Sequence, residues 1–236
     1  MKNKGKLFLI PTTLGNNDFK KIIPEYNKTI INSLDNFIVE ELRTARRFLK
    51  KIGYTKNFDN VNLSILNEHT DIKDIYDYLN PIDKGKNIGL LSEAGVPCVA
   101  DPGSEIVKIA HQKKISIIPL IGPSSILLSL MASGFNGQNF AFLGYLPVKK
   151  SERINKLKKI EKKIYQDNQT QIFIEAPYRN NQMLESIFSV CDKNTLLCIA
   201  KNITLETEFI KTKTVSEWKK NPPDLHKQNT VFLLYK

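Results

Sequence analysis

The sequence predicts an α/β fold in two domains, and three observations predict it. Short apolar, β-branched runs alternate with segments of helical apolar spacing along most of the chain, the pattern of largely parallel strands joined through helices. The alternation pauses at Gly134-Phe-Asn-Gly137, a loop by composition, and then restarts. Several expected strand ends run into loops rich in Gly, Pro and small polar residues, where open α/β sheets bind ligands.

In chain order, the first strands are expected at residues 7–10, 36–39, 62–66, 87–91 and 116–119. Residues 44–52 and 104–113 carry helical apolar spacing. Residues 124–131 are apolar almost all round, as a buried helix is. The second set of strands is expected at 139–143, 170–175, 195–200, 206–211 and 230–235, with helices near 151–164 and 179–190. The domains are therefore 1–119 and 120–236, joined near residues 119–123, with no internal repeat and no low-complexity linker.

Charge is the compositional anomaly. Thirty-five Lys and Arg against 24 Asp and Glu leave a formal +11, which attracts polyanions: nucleic acid or an anionic membrane surface. A lysine-rich proteome produces the same excess. No run reaches the roughly 18 apolar residues of a membrane span, and the N-terminus enters a strand-like LFLI instead of a signal segment. A soluble, cytoplasmic protein is expected. Cys98, Cys191 and Cys198 match no metal or redox spacing and read as buried thiols, while His69, His111 and His226 are scattered, so no metal is expected.

Four loops stand out. Pro11-Thr-Thr-Leu-Gly-Asn16 follows the first strand, lacks GxGxxG, and is explained equally by a plain turn. Leu91-Ser-Glu-Ala-Gly-Val-Pro-Cys-Val-Ala-Asp-Pro-Gly103 is far richer. Its glycines permit close backbone approach to a ligand, its prolines stiffen it, and Glu93 and Asp101 offer carboxylates. Asp101 reads equally as a helix-start residue. Ile121-Gly-Pro-Ser-Ser125 and Glu175-Ala-Pro-Tyr-Arg179 also sit between a strand and a helix, and four such loops suggest a cleft between domains.

The chain contains, in order, LIPTTLGN, VEELRTARRFL, LNEHT, LLSEAGVPCVADPG, IGPSS, GYLPVKKSER and EAPYR. In order and spacing these resemble the LVPTPIGN, AEDTR…TRRLL, YHEHN, LVSDAGTPLISDPG, PGPSA, GFLPRKKGER and ESPHR of the ribosomal RNA small-subunit methyltransferase I family, which has the tetrapyrrole-methylase fold. The resemblance covers most of the chain. It implies a two-domain methyltransferase that transfers methyl to a ribose 2′-hydroxyl of small-subunit ribosomal RNA. It also implies a homodimer with S-adenosylmethionine in the interdomain cleft. Carried over residue by residue, it places the cofactor against Leu14, Glu93, Gly95, Val96, Ser124, Ser125, Glu175 and Ala176.

The acceptor side departs further from the pattern. Glu40, Arg43, Arg46 and Arg47 keep the family's residues, but its Asp, Thr and His become Glu41, Leu42 and Thr44, and its Asp in the rich loop becomes Glu93. Glu68 and His69 remain, whereas the flanking His and Asn become Asn67 and Thr70. ARELT reads AKNIT at Ala200–Thr204, and the chain stops short of the C-terminal extension many members carry. The resemblance therefore also allows a shortened, divergent relative.

Methyl transfer from a sulfonium is an in-line displacement, so positioning dominates, and a base near the ribose hydroxyl assists. In that context Glu40 and Arg43 are expected to order the acceptor, with Glu68 or His69 taking its proton. The plain alternatives are a helix-start ion pair between Glu40 and Arg43 and an exposed turn at Glu68-His69. Arg46, Arg47, Lys149, Lys150 and Arg153 are the expected RNA contacts; the same lysines also suit a solvated amphipathic helix. Two other readings stay open: a small-molecule, tetrapyrrole-like methyltransferase, and a ribosome-binding relative without catalysis.

Overall fold

The structure is a computed structural model that describes residues 4–15, 18–67 and 69–236. The chain divides into two compact units, Met1–Ser124 and Ser125–Lys236. The division falls between Ser124 and Ser125 rather than between residues 119 and 120.

The first unit holds β1 (Lys6–Ile10), α1 (Glu25–Ser33), β2 (Asn36–Val39), α2 (Leu42–Ile52), β3 (Asn62–Ile65), α3 (Ile72–Tyr78), α4 (Asn80–Asp83), β4 (Ile88–Leu91), α5 (Gly103–Gln112) and β5 (Ser116–Pro119). Its strands pair in parallel in the order β3-β2-β4-β1-β5. Both faces are covered, which is why Phe37, Ile38 and Val39 and the run IGLL are apolar without alternation and buried. Strand side chains still point to opposite faces by turns. Phe8, Ile10 and Phe37 pack with Ile31, Leu34, Ala45, Leu49 and Ile52 of the α1 and α2 segments. Leu7, Ile38, Ile88 and Leu90 pack with Ile75, Ile82, Ile106 and Ile109 from α3, α4 and α5 on the other face. All five carboxyl ends of the strands therefore open on one edge of the sheet.

The second unit holds α6 (Ser125–Ser133), β6 (Phe140–Tyr145), α7 (Lys150–Asp167), β7 (Thr170–Ile174), α8 (Asn180–Val190), β8 (Leu196–Lys201), β9 (Phe209–Thr214), α9 (Val215–Lys220) and β10 (Thr230–Tyr235). Its sheet, ordered β6-β7-β10-β8-β9, departs from the largely parallel expectation. Only β6 and β7, joined through α7, run parallel; β7–β10, β10–β8 and β8–β9 are antiparallel. The connection from β8 to β9 is a short turn, too short for a parallel crossover. That turn also explains why β9 begins at Phe209 and not at 206. The Glu208 carboxylate accepts the Thr204 N–H at 2.6 Å and the Glu208 N–H donates to the Leu205 carbonyl, so residues 206–208 close the turn before pairing starts.

Helices α1, α3, α4 and α9 had not been expected. They are short or carry weak apolar stripes, and their ends are set by local chemistry: Pro24 precedes α1, and a reciprocal Thr214/Glu217 capping box starts α9.

The stripe Leu157, Ile160 and Ile164 docks α7 against α8 and the sheet. Arg153 lies on that same face and is only 4% exposed; its Nε donates to Ser186 Oγ at 3.0 Å and its Nη1 to the Val148 carbonyl at 2.7 Å. It is a packing arginine, which corrects its expected place among the RNA contacts. Arg153→Ala is expected to cost about 2 kcal/mol of stability, the scale for losing buried charge-assisted hydrogen bonds. Urea denaturation measures it, and RNA affinity of the folded variant should not change.

Candidate active site

The carboxyl edge of the first sheet is built from the loops after β1, β2, β4 and β5. Paired registers bring Ile10 level with Leu91 and Ile38 level with Leu90, so the chain leaves adjacent strands at one level. The Thr12 N–H donates to the Gly95 carbonyl at 2.9 Å, and the Ser92 hydroxyl donates to the same oxygen. Gly95 has φ +75°, and a Cβ there would stand 2.9 Å from Leu14 Cδ2 and 3.1 Å from the Pro123 carbonyl oxygen. Only glycine lets three loops close at this point. A Cβ on Gly122 would meet Pro11 Cγ at 2.2 Å, so the β5 loop presses on the β1 loop as closely.

The rich loop is held in a strained shape. Cys98 and Ala100 both have left-handed backbones, at φ 69° and 62°. Non-glycine residues there cost about 1 kcal/mol or more each, and such strain concentrates at functional loops. Asp101 holds it: both its oxygens accept the Cys98 N–H, at 2.8 and 2.9 Å, and Oδ1 accepts the Gly103 N–H at 2.8 Å. The Asp101 carboxylate thus serves the loop that starts α5. Burial raises the Asp101 pKa, and these N–H groups oppose the rise. Burial pushes the Cys98 thiol up to about 11, so it is an inert neighbour.

Glu40 leaves the end of β2 half-buried, and its Oε1 accepts the Glu93 N–H at 3.3 Å. Burial raises its pKa above the ordinary 4.5, the Asp101 charge raises it further, and the Glu93 N–H works the other way. Glu41 caps α2: its oxygens accept the Arg43 N–H at 2.8 Å and the Thr44 N–H at 2.7 Å, which lower its pKa. The Thr44 hydroxyl donates to Glu93 Oε1 at 2.6 Å. The structure thus joins the expected acceptor residue Glu40 to the expected cofactor residue Glu93. Among the described residues no ion pair links Glu40 to Arg43, so the helix-start pair is not what holds Glu40.

Arg43, Arg46, Arg47 and Lys50 line one exposed concavity on α2 together with Glu41 and Leu42. Arg46 and Lys50 lie over the Phe58 ring, at 5.9 and 6.0 Å. His69 is exposed in a tight turn after β3, its N–H donating to Asn67 Oδ1 at 2.9 Å. Glu68 lies outside the described residues. Val96 is half-buried in the rich loop, and Ser124 ends the first unit. Lys149 and Lys150 are exposed at the start of α7, with Lys149 3.4 Å from Glu152.

In the second unit Ser125 starts α6, and Glu175 follows β7. Glu175 is 5% exposed; its Oε1 accepts the Ala176 N–H at 2.7 Å and the Arg179 Nε and Nη2 at 3.0 and 2.6 Å. Arg179 stacks over Tyr178 at 5.0 Å, and Glu175 raises its pKa. Glu175 Oε2 is buried with no hydrogen-bond partner among the described residues. The residues missed from sequence are Thr12, Ser92 and Thr44. Their hydroxyls tie loops together across about 50 to 80 residues of sequence, a pairing that a linear motif does not signal.

The fold is similar to that of solved methyltransferases. The structure of the methyltransferase CobJ superposes with a TM-score of 0.66 over 98% of this chain and 94% of that one, at 14% identity. Native uroporphyrin III C-methyl transferase from Thermus thermophilus gives 0.61 over 98% of each chain, at 11% identity. At these identities the likeness defines the fold class, that of the tetrapyrrole methyltransferases. No family model matches the chain. The ribosomal RNA small subunit methyltransferase I of Buchnera aphidicola subsp. Schizaphis graminum is 30% identical over 240 aligned positions, covering 99% of this chain and 79% of that protein. The protein of that name in Bacillus subtilis is 30% identical over 90% of this chain and 68% of its own length, and that of Escherichia coli O157:H7 is 28% identical over 98% and 78%. This chain belongs to the ribosomal RNA small subunit methyltransferase I family, and it is a methyltransferase that draws on a sulfonium-type methyl donor.

Among the described residues no group of His, Cys, Asp and Glu is arranged to hold a metal ion, and no helix is long and apolar enough to cross a membrane. In the second unit, Glu175 Oε2 is a buried acceptor without a donor among the described residues, a partner that an amine or hydroxyl of such a methyl donor would supply.

Proposed function

We propose that the chain transfers a methyl group from S-adenosylmethionine to a ribose 2′-hydroxyl of small-subunit ribosomal RNA, presented as the assembled subunit or its RNA. The carrying observation is the Glu40–Glu93 link, which sets an acceptor-side carboxylate beside the strained loop assigned to the cofactor. Leu14, Glu93, Gly95, Val96 and Ser124 of the first unit, and Ser125, Glu175 and Ala176 of the second, hold the cofactor in this reading. The cofactor supplies an electrophilic methyl carbon on a positively charged sulfur.

The protein's own work is positional. Glu40 and Arg43 orient the ribose: the carboxylate accepts from a hydroxyl, and the guanidinium faces the adjoining phosphate. His69 or Glu68 takes the 2′-hydroxyl proton as the new oxygen–carbon bond forms and the carbon–sulfur bond breaks, the sulfur leaving as a neutral thioether. Arg46, Arg47, Lys149 and Lys150 supply phosphate contacts, which position the RNA without reading its sequence. A homodimer, implied by the family resemblance, and a cytoplasmic location, where small subunits are available, belong to the same proposal.

Two measurements test it. Calorimetry should show saturable S-adenosylmethionine binding that Glu93→Ala weakens. Filter binding of small-subunit RNA at rising salt should show each of Arg46→Gln, Arg47→Gln, Lys149→Gln and Lys150→Gln lowering the log–log salt slope by about 1, the expectation for one lost phosphate contact. An unchanged slope in all four would remove these residues from the RNA surface.

A further inference from the structure

Glu93 is held at two points by the corner between β2 and α2. Its backbone N–H donates to Glu40 Oε1 at 3.3 Å, and its carboxylate accepts the Thr44 hydroxyl at 2.6 Å. The hydroxyl carries a single proton, and its other neighbour is the Glu41 carbonyl oxygen at 3.0 Å. A shorter bond to a charged acceptor is the stronger of the two. Thr44 itself is fixed because its N–H is capped by Glu41 Oε2 at 2.7 Å.

Positions 41, 44 and 93 are three of those at which this chain departs from the family's motifs, where Asp, His and Asp stand. Here all three departures are joined in one chain of hydrogen bonds. A glutamate arm, one methylene longer than aspartate, spans the distance to a threonine, whose side chain is shorter than histidine. We propose that Thr44 is a positioning residue that fixes the Glu93 carboxylate for the methyl donor, and that Glu93 and Thr44 form a length-matched pair. The changes around α2 therefore re-form the cofactor loop's support and do not dismantle it. This rests on the reading that Glu93 contacts the cofactor.

Calorimetric dissociation constants of S-adenosylmethionine and its demethylated product for wild type, Glu93→Ala, Glu93→Asp, Thr44→Val, Thr44→Ser and the double variant Thr44→His/Glu93→Asp decide the matter. Thr44→Val keeps the shape and the capped N–H, so the melting temperature should stay close to wild type. Cofactor affinity should fall about fivefold, the scale of one hydrogen bond, with the donor KM rising in step and kcat within about twofold. Thr44→Ser should retain wild-type affinity. The double variant should bind more tightly than Glu93→Asp alone. If Glu93→Ala leaves binding unchanged, the cofactor reading of Glu93 fails and the proposal falls with it. If Glu93→Ala weakens binding while Thr44→Val does not, or Thr44→Ser is as weak as Thr44→Val, the positioning role alone is overturned. A double variant no tighter than Glu93→Asp overturns the length match.

Discussion

Glu40→Ala is expected to lower the rate of methyl transfer by about 10²- to 10⁴-fold, the range for a positioned acid–base or orienting group, with S-adenosylmethionine affinity falling by no more than about fivefold, the scale of the one hydrogen bond lost to the Glu93 N–H. Glu40 stands at the end of β2, half-buried, one hydrogen bond from the cofactor loop. Burial first and the Asp101 charge second hold its pKa above 4.5. Activity that needs the carboxylate form therefore begins to fall, on acidification, at a higher pH than it would for an ordinary glutamate. The same shift has a stability consequence of definite sign. The folded state keeps the proton to a higher pH than the unfolded state, so it binds more protons between 4.5 and the raised value. Stability contributed by this group declines as pH rises through that window, and at neutral pH the charged form is a net burden. Glu40→Gln should accordingly melt at the same temperature as wild type or higher at pH 7 while losing activity. Stopped-time methyl transfer and calorimetric melting measure the two effects side by side; a variant that melts lower and turns over normally would place Glu40 in the packing alone.

The second large effect is expected at Gly95. Gly95→Ala places an L-residue at φ +75°, which costs about 1–2 kcal/mol, and sets its Cβ 3.1 Å from a backbone oxygen that cannot rotate away. Leu14 Cδ2, at 2.9 Å, must move, and Leu14 is one of the proposed cofactor contacts. Affinity for S-adenosylmethionine should drop by about tenfold or more, beyond what the modest loss of stability explains, since about 1.4 kcal/mol is tenfold in a dissociation constant. Gly137→Ala is the control. A Cβ there meets nothing within 4 Å, so binding should stay at the wild-type value. Equal binding in both variants would show that the loop does not meet the cofactor at Gly95.

In the first unit the strands and the helices α2 and α5 were legible in the sequence because their physics is local and repetitive, whereas the short or weakly striped α1, α3 and α4 were not. Apolar runs such as Phe37-Ile-Val39 and IGLL announce strands covered on both faces, and α2 announces itself by Ala45, Leu49 and Ile52 on one side of a charged helix. The second unit was legible as elements but not as a sheet. Apolar runs do not state their direction, and only the short β8–β9 turn reveals antiparallel pairing. Motif order marked the candidate loops, yet it could not separate the two roles of a carboxylate. Asp101 proves to tie its own loop through Cys98 and Gly103, while Glu93 is held by Thr44 across the fold. Arg153 shows the same limit: within a run of lysines its burial against Ser186 is set by helix phase and a partner 33 residues on.

The central claim is that this chain methylates a ribose in small-subunit ribosomal RNA. The most direct measurement incubates the purified protein with methyl-labelled S-adenosylmethionine and small ribosomal subunits lacking the modification, then digests the RNA and locates the label. The account predicts label on one ribose 2′-oxygen, abolished by Glu40→Ala and retained by Arg153→Ala. Saturable binding of the methyl donor with no label on any ribose would contradict it.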